Sequence, residues 1–390
     1  MKIELINKNK KYILLLGILG ICYALLDWDI NISDLFYLKY NNKVLISIIT
    51  AGIGLSRFIA TFVCVKINDT KKPNMVFNIL IIFCIITTII SCLFYQYGFA
   101  IYFTIVYLLL QVFLEILSSF HFPYVSKSLP DEQIIQIHSK RISVFKILNA
   151  VGVSLASFIC TTFYNKSFLI ICALCMVIFL IAMIFVINIK NINIKSIKNE
   201  KTYLQRFNIK EYSRGFKIWS VVRVIGKFST ASLVVILSLK LLESNVNILA
   251  LKTSKTLLWV FSSIGFFLSG YFIKKKKVVD GDIFIKLLIV VMLPLTIFNN
   301  YVSLVIIVLY GILEPFNSIS HLEILKQDKD GIDLAQKDLL ISLFGYFSKF
   351  LSGMILVNIE FNIAVTIIII LLSISVIIEY KLYRRLKKQH

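Results

Sequence analysis

The residues of this chain with the greatest capacity for chemistry are acids and bases set inside long apolar runs. Asp27, Glu115 and Glu314 are carboxylates flanked by Leu, Ile or Phe, and Arg57, Lys146, Arg223, Lys227, Lys286 and Lys349 are cations in similar surroundings. An ionisable group at bilayer depth costs at least about 2.5 kcal/mol on insertion scales, so each is a functional candidate by default. A carboxylate partly stripped of water there can load and release a proton, and a carboxylate beside a cation can pin helices or hold a gate. Asp29, Gln111, Asn149 and Asn317 add polar groups that can hydrogen-bond a cargo or a neighbouring helix. Cys172 and Cys175 form a CxxC, but no His or acidic ligand stands near them in sequence, so packing is expected and no metal site or cofactor. His121 and His321 fall near span ends, where a solvated ring is the ordinary outcome.

The elements that position these groups follow from composition. Of 390 residues 58% are apolar and mean hydropathy is +0.85, which excludes an ordinary soluble domain. Twelve apolar runs, each able to cross about 30 Å of hydrocarbon, are predicted at 12–35, 44–66, 75–95, 100–123, 141–163, 167–189, 218–241, 250–273, 282–299, 301–324, 338–358 and 361–380. Thirty of the 42 Lys and Arg residues then fall in loops on one side and six on the other, Lys240, Lys252 and Lys255 among the six. Positive loops stay in the cytoplasm, so both termini are expected there, and the net charge of +21 faces anionic lipid with no need of a nucleic-acid partner. The first span lacks a small-residue cleavage site and reads as a retained helix. Heavy use of Ile, Lys and Asn suggests a bacterial source, hence a multi-pass protein of a bacterial inner membrane.

Residues 191–217 form a long polar stretch that separates six spans, 1–190, from six more, 218–390. At an offset of 199 the halves align without gaps over about 40 residues with nine identities, including Glu115 with Glu314, Ser119 with Ser318 and Phe145 with Phe344. Two pseudo-symmetric six-helix bundles are expected, as in parallel-repeat transporters. By depth, Arg57 and Glu115 lie roughly 13 and 12 Å from the inner ends of their spans and can pair, with Lys146 a second partner. Glu314 has Arg223, Lys227 and Lys349 at comparable depth. A structural ion pair and a proton or substrate site both remain open for Glu115 and Glu314.

Twelve spans, a midpoint loop and repeated halves resemble the major facilitator superfamily. Between spans two and three, Val65 to Pro73 keeps the Asp69 and the basic pair Lys71 and Lys72 of that family's loop motif but loses its glycines. Gly270 to Lys277 keeps a glycine and the bases and has Lys where the acid stands. Leu26-Asp27-Trp28-Asp29-Ile30 resembles a first-span motif of the superfamily's drug exporters. The resemblance implies an all-α integral membrane fold of twelve transmembrane helices, with Asp27 lining a cavity as the leading proton carrier. Otherwise Asp27, Asp29 and Asp34 form a solvated acidic rim, with Trp28, like Trp219, an interfacial anchor.

No P-loop and no soluble domain offers an ATP site, and the four histidines form no constellation that would make the chain an enzyme. The expected function is secondary transport by a monomer, driven by H+ or Na+, with export of a small hydrophobic or cationic molecule or peptide preferred on the Asp27 resemblance. Nutrient or metabolite uptake is the alternative, and a non-transporting immunity or sensor protein with the same fold is a third.

Overall fold

The computed structural model describes residues 15, 17–67, 73–126, 131–187, 212–274, 277–327 and 334–388, and every described element among them is helical. Contacts divide the chain into two compact units, Met1–Ile197 and Lys198–His390.

The first unit begins with α1, residues 17–25, followed by a π-helical turn at Trp28–Ile32 and α2, Ser33–Tyr40. These three form one pass. Next come α3 (Lys43–Ile67), α4 (Pro73–Gln96), α5 (Ala100–Ser126), α6 (Asp131–Thr162) and α7 (Ser167–Ile187). In the second unit α8 (Arg214–Thr230) and α9 (Leu233–Glu243) share one pass. They are followed by α10 (Ile248–Lys274), α11 (Val278–Met292) with a 3-10 turn at Leu293–Ile297, α12 (Asn300–Gln327), α13 (Leu334–Leu356) and α14 (Phe361–Lys388). Each unit thus contributes six passes, twelve in all. Among the described residues seven stretches are by themselves long and apolar enough to cross a membrane. α11, at 15 residues, is too short alone and reaches across only with its 3-10 extension.

Side-chain sorting inside the helices follows a bilayer rather than water. On α4, Ile82, Ile86, Ile89 and Leu93 are exposed at helical spacing, while Cys84, Thr87, Thr88 and Ser91 are buried. Large apolar groups face outward and small or weakly polar groups face the neighbouring helices, because lipid solvates the former as well as a core does. Tight turns are made where a left-handed backbone is cheapest: Asn41 (φ 46°) ends α2 and Gly98 (φ 81°) joins α4 to α5.

The internal repeat appears in which helices touch. α5 packs on α3 and α4, and α4 on α7; likewise α12 packs on α10 and α11, and α11 on α14. Among the described glycines the tightest site is Gly311 of α12, where an added Cβ would collide with the backbone carbonyl of Leu258 in α10. Pro315, one turn on, cannot donate to the Gly311 carbonyl, yet α12 continues through it.

Candidate functional site

The sequence predicts an unbroken first span, and here the structure differs. α1 stops at Leu25 because Asp27 leaves helical geometry (φ −68°, ψ 122°) and its Oδ1 accepts from Ile30 N at 2.9 Å, capping the next turn. Asn31 and Ile32 N both donate to Asp27 O, which gives the π-helical spacing. A short side chain that can cap competes well against helix continuation, and such π turns recur at functional positions.

The break frees carbonyls near the middle of the pass, where water cannot satisfy them, so side chains must. Tyr107 Oη and Gln111 Nε2, both from α5, donate to Leu26 O at 2.6 and 3.1 Å, and Asn31 Nδ2 donates to Ala24 O at 2.6 Å. Trp28 Nε1 donates to Thr50 Oγ1 of α3 at 2.8 Å, and the indole packs on Phe36 and Tyr107. Trp28 is therefore a buried strut, 2% exposed, not an interfacial anchor. Nor do the acids form a solvated rim: Asp34 is buried, whereas Asp27 and Asp29 are half-buried. Asn149 of α6 is buried as well.

Stripping these carbonyls of their donors tests how firmly the break is held. Asn31→Ala is expected to cost about 1–3 kcal/mol, the penalty of an orphaned buried carbonyl. A melting temperature in detergent equal to the parent's would show that another group holds the break.

Elsewhere in the first unit Arg57 Nε donates to Glu115 Oε1 at 2.7 Å, joining α3 to α5, with both side chains partly exposed. The structure thus brings together two residues that the sequence placed at one depth. Asp69 lies outside the described residues, as do the side chains of His121 and Lys146.

The second unit holds a larger polar system. Lys286 Nζ donates to Asp282 Oδ2 at 2.8 Å on its own helix, α11, and to Glu379 Oε2 of α14 at 2.6 Å. Asp282 Oδ2 also accepts from Ser320 Oγ at 2.8 Å and from Asn317 Nδ2 at 3.4 Å, both on α12. Asn317 Oδ1 accepts from Arg223 Nη1 of α8. One chain of polar contacts therefore runs through four helices. Arg223 and Asn317 were expected to bear on function, whereas Asp282 and Glu379, which sit at the ends of the predicted spans, were not. The i, i+4 spacing of Asp282 and Lys286 is the sequence signal that marks them.

Glu314 Oε2 accepts from Ser262 Oγ of α10 at 3.3 Å. Lys349 is buried, and Lys227 passes close to Gly345 of α13. Three sequence-based placements change. Trp219 is buried and its Nε1 donates to His321 Nδ1 at 2.9 Å, so neither is a solvated or interfacial group, and Nδ1 carries no proton in this arrangement. Lys252 and Lys255, assigned to an outer rim, are fully buried on α10. All seven cysteines are buried thiols outside any disulfide, and Cys22 Sγ donates to Cys175 O at 3.7 Å. Among the described residues no group of three His, Cys, Asp or Glu side chains is arranged to hold a metal ion.

No protein-family model and no curated protein sequence matches the chain. Solved structures do. A nucleoside transporter, NupG, superposes with a TM-score of 0.73 at 11% identity over 97% of this chain and 98% of its own. A D-xylose-proton symporter gives 0.73 at 12% identity over 96% and 97%. A bacterial homologue of the iron transporter ferroportin, in an inward-facing state, gives 0.70 at 13% identity over 97% and 98%. Likeness at this identity establishes the fold, which is the twelve-helix fold of major facilitator transporters.

Proposed function

We propose that the chain is a secondary carrier that moves a small polar or cationic solute across a membrane at the expense of an ion gradient. The observation that carries this reading is the broken first helix, which sets Asp27 and Asp29, half-buried, near the middle of a pass. Discontinuous helices at that depth are how carriers of several folds present groups to a cargo. Tyr107, Gln111 and Asn31 take up carbonyls that the break frees, and Asp27 and Asp29 place two half-buried carboxylates beside them. The carboxylates favour a cation, a proton or a hydrogen-bond donor over an apolar drug. Export of an apolar drug or toxin draws no support from the solved structures, which are a nucleoside transporter, a D-xylose-proton symporter and a homologue of an iron transporter. Import suits the site as well as export does. Proton coupling through Asp27, with Arg57 and Glu115 as a structural pair, completes the proposal, and the chain works as a monomer in a bacterial inner membrane with both termini inside.

The test is flux in proteoliposomes, with uridine, xylose, ferrous iron and ethidium as probes and the pH step applied in either direction. One probe is expected to move with the gradient, and Asp27→Asn to slow it at least about tenfold, the loss of one charge-assisted contact. Folded protein that moves none of the four under either gradient sinks the carrier reading, and full activity in Asp27→Asn sinks the assignment of Asp27.

A further inference from the structure

We propose that Asp282, Lys286 and Glu379 form a proton-binding site in the second unit. A hydronium arriving from the end of α14 that bears Lys381 and Arg384 places its proton on Glu379. The ion pair that ties α14 to α11 thereby becomes a hydrogen bond from the Lys286 ammonium to a neutral carboxylic acid, and the cluster as a whole becomes neutral.

The cluster is closed to solvent: the side chains of Lys286, Asp282 and Glu379 are 4%, 0% and 0% exposed. It holds two carboxylates for one ammonium. Arg223 joins this network through Asn317. A buried unit of that kind carries an excess negative charge unless one acid is protonated, and uncompensated charge is what a low-dielectric interior tolerates least. Hydrogen bonding chooses between the two acids. Asp282 Oδ2 takes three donors, Lys286, Ser320 and Asn317, whereas Glu379 Oε2 takes Lys286 alone. Among the described residues Glu379 Oε1 and Asp282 Oδ1 have no hydrogen-bond partner at all. The proton therefore belongs on Glu379 Oε1, and the carboxylate that shares its lysine has a free oxygen able to accept from it. In the loading step an O–H bond forms on Glu379, a water molecule is released, and no electron changes hands.

Other ionisable groups packed around the site leave this choice in place. His321, beside Ser320 on α12, is turned to Trp219; Tyr383 is buried one turn beyond Glu379 on α14. The 3-10 turn Leu293–Ile297 carries no ionisable side chain, and Lys252 and Lys255 stand at the far end of α10. Packing alone does not call for the cluster. The matching contact of the first unit, α4 on α7, forms between two helices that carry no Asp, Glu, Lys or Arg at all.

This site goes beyond the carrier reading, and its test does not use flux. Infrared difference spectra of the full chain in lipid nanodiscs are recorded as pH is stepped down. A carboxylic-acid carbonyl band is expected to grow, to be missing in Glu379→Gln and to persist in Asp27→Asn. Ser320→Ala removes a donor from Asp282 and leaves every charge in place, so it guards against a Glu379→Gln protein that does not fold. It is expected to move the appearance of the band to higher pH by about one unit. Spectra of folded Glu379→Gln identical to the parent's, or a Ser320→Ala titration superimposable on the parent's, overturn the proposal. A band that behaves as expected in protein that moves no solute would retain the proton site and reject the carrier.

Discussion

Replacing Lys286 with methionine is expected to cost most of the folded second unit. The change leaves Asp282 and Glu379 buried side by side without their shared cation, and breaking a buried pair in this way typically costs 3–5 kcal/mol. Native proteins are stable by only about 5–15 kcal/mol, so that is a large share. The sharper expectation lies in the recovery. Adding Glu379→Gln to Lys286→Met removes one of the stranded charges and should restore much of the yield, and lowering the pH should help the single variant more than the parent. Size-exclusion profiles and melting temperatures in detergent at two pH values test both. Parent-like melting of Lys286→Met at alkaline pH would show that the three groups do not depend on one another.

The second large effect is expected at Gly311. A methyl group there would lie 2.8 Å from the carbonyl carbon of Leu258 and 3.0 Å from its Cα, and neither atom can rotate away. Overpacking usually costs about 1–3 kcal/mol, and a backbone obstacle puts Gly311→Ala at the upper end or beyond. Gly52→Ala provides the comparison. Its Cβ would meet the Leu108 side chain, the nearest atom at 2.5 Å, and a leucine terminus can change rotamer. Thermal melting should therefore rank Gly311→Ala well below Gly52→Ala. The reverse order would mean that α10 and α12 have room to separate and that α3 and α5 do not.

The twelve passes were legible in the sequence because each is a run of apolar residues long enough to cover hydrocarbon, a property that needs no tertiary information. The Arg57 and Glu115 contact was legible for a similar reason: depth along a helix is a count of residues, and both sit at one height. Discontinuity in the first pass escaped because hydropathy averages over a window and absorbs Asp27 and Asp29 among leucines and isoleucines. The spacing of Asp27, Asp29 and Asn31, two residues apart where a helix repeats every 3.6, was the available warning. Asp282 and Glu379 escaped for another reason. They stood at the ends of their predicted spans, where a charge can reach water, and only the packing of α11 against α14 shows that both are sealed in. Trp219 and His321 were misjudged in the same way, since position near a span end does not reveal which face of the helix a neighbour covers.

The burial of every cysteine makes the natural chain ready for site-directed labelling. Water-borne maleimides should leave the intact protein unmodified, so a single thiol engineered into an exposed turn, at Asn358 for example, would report alone. Sidedness of each loop could then be mapped on vesicles without first building a cysteine-free background.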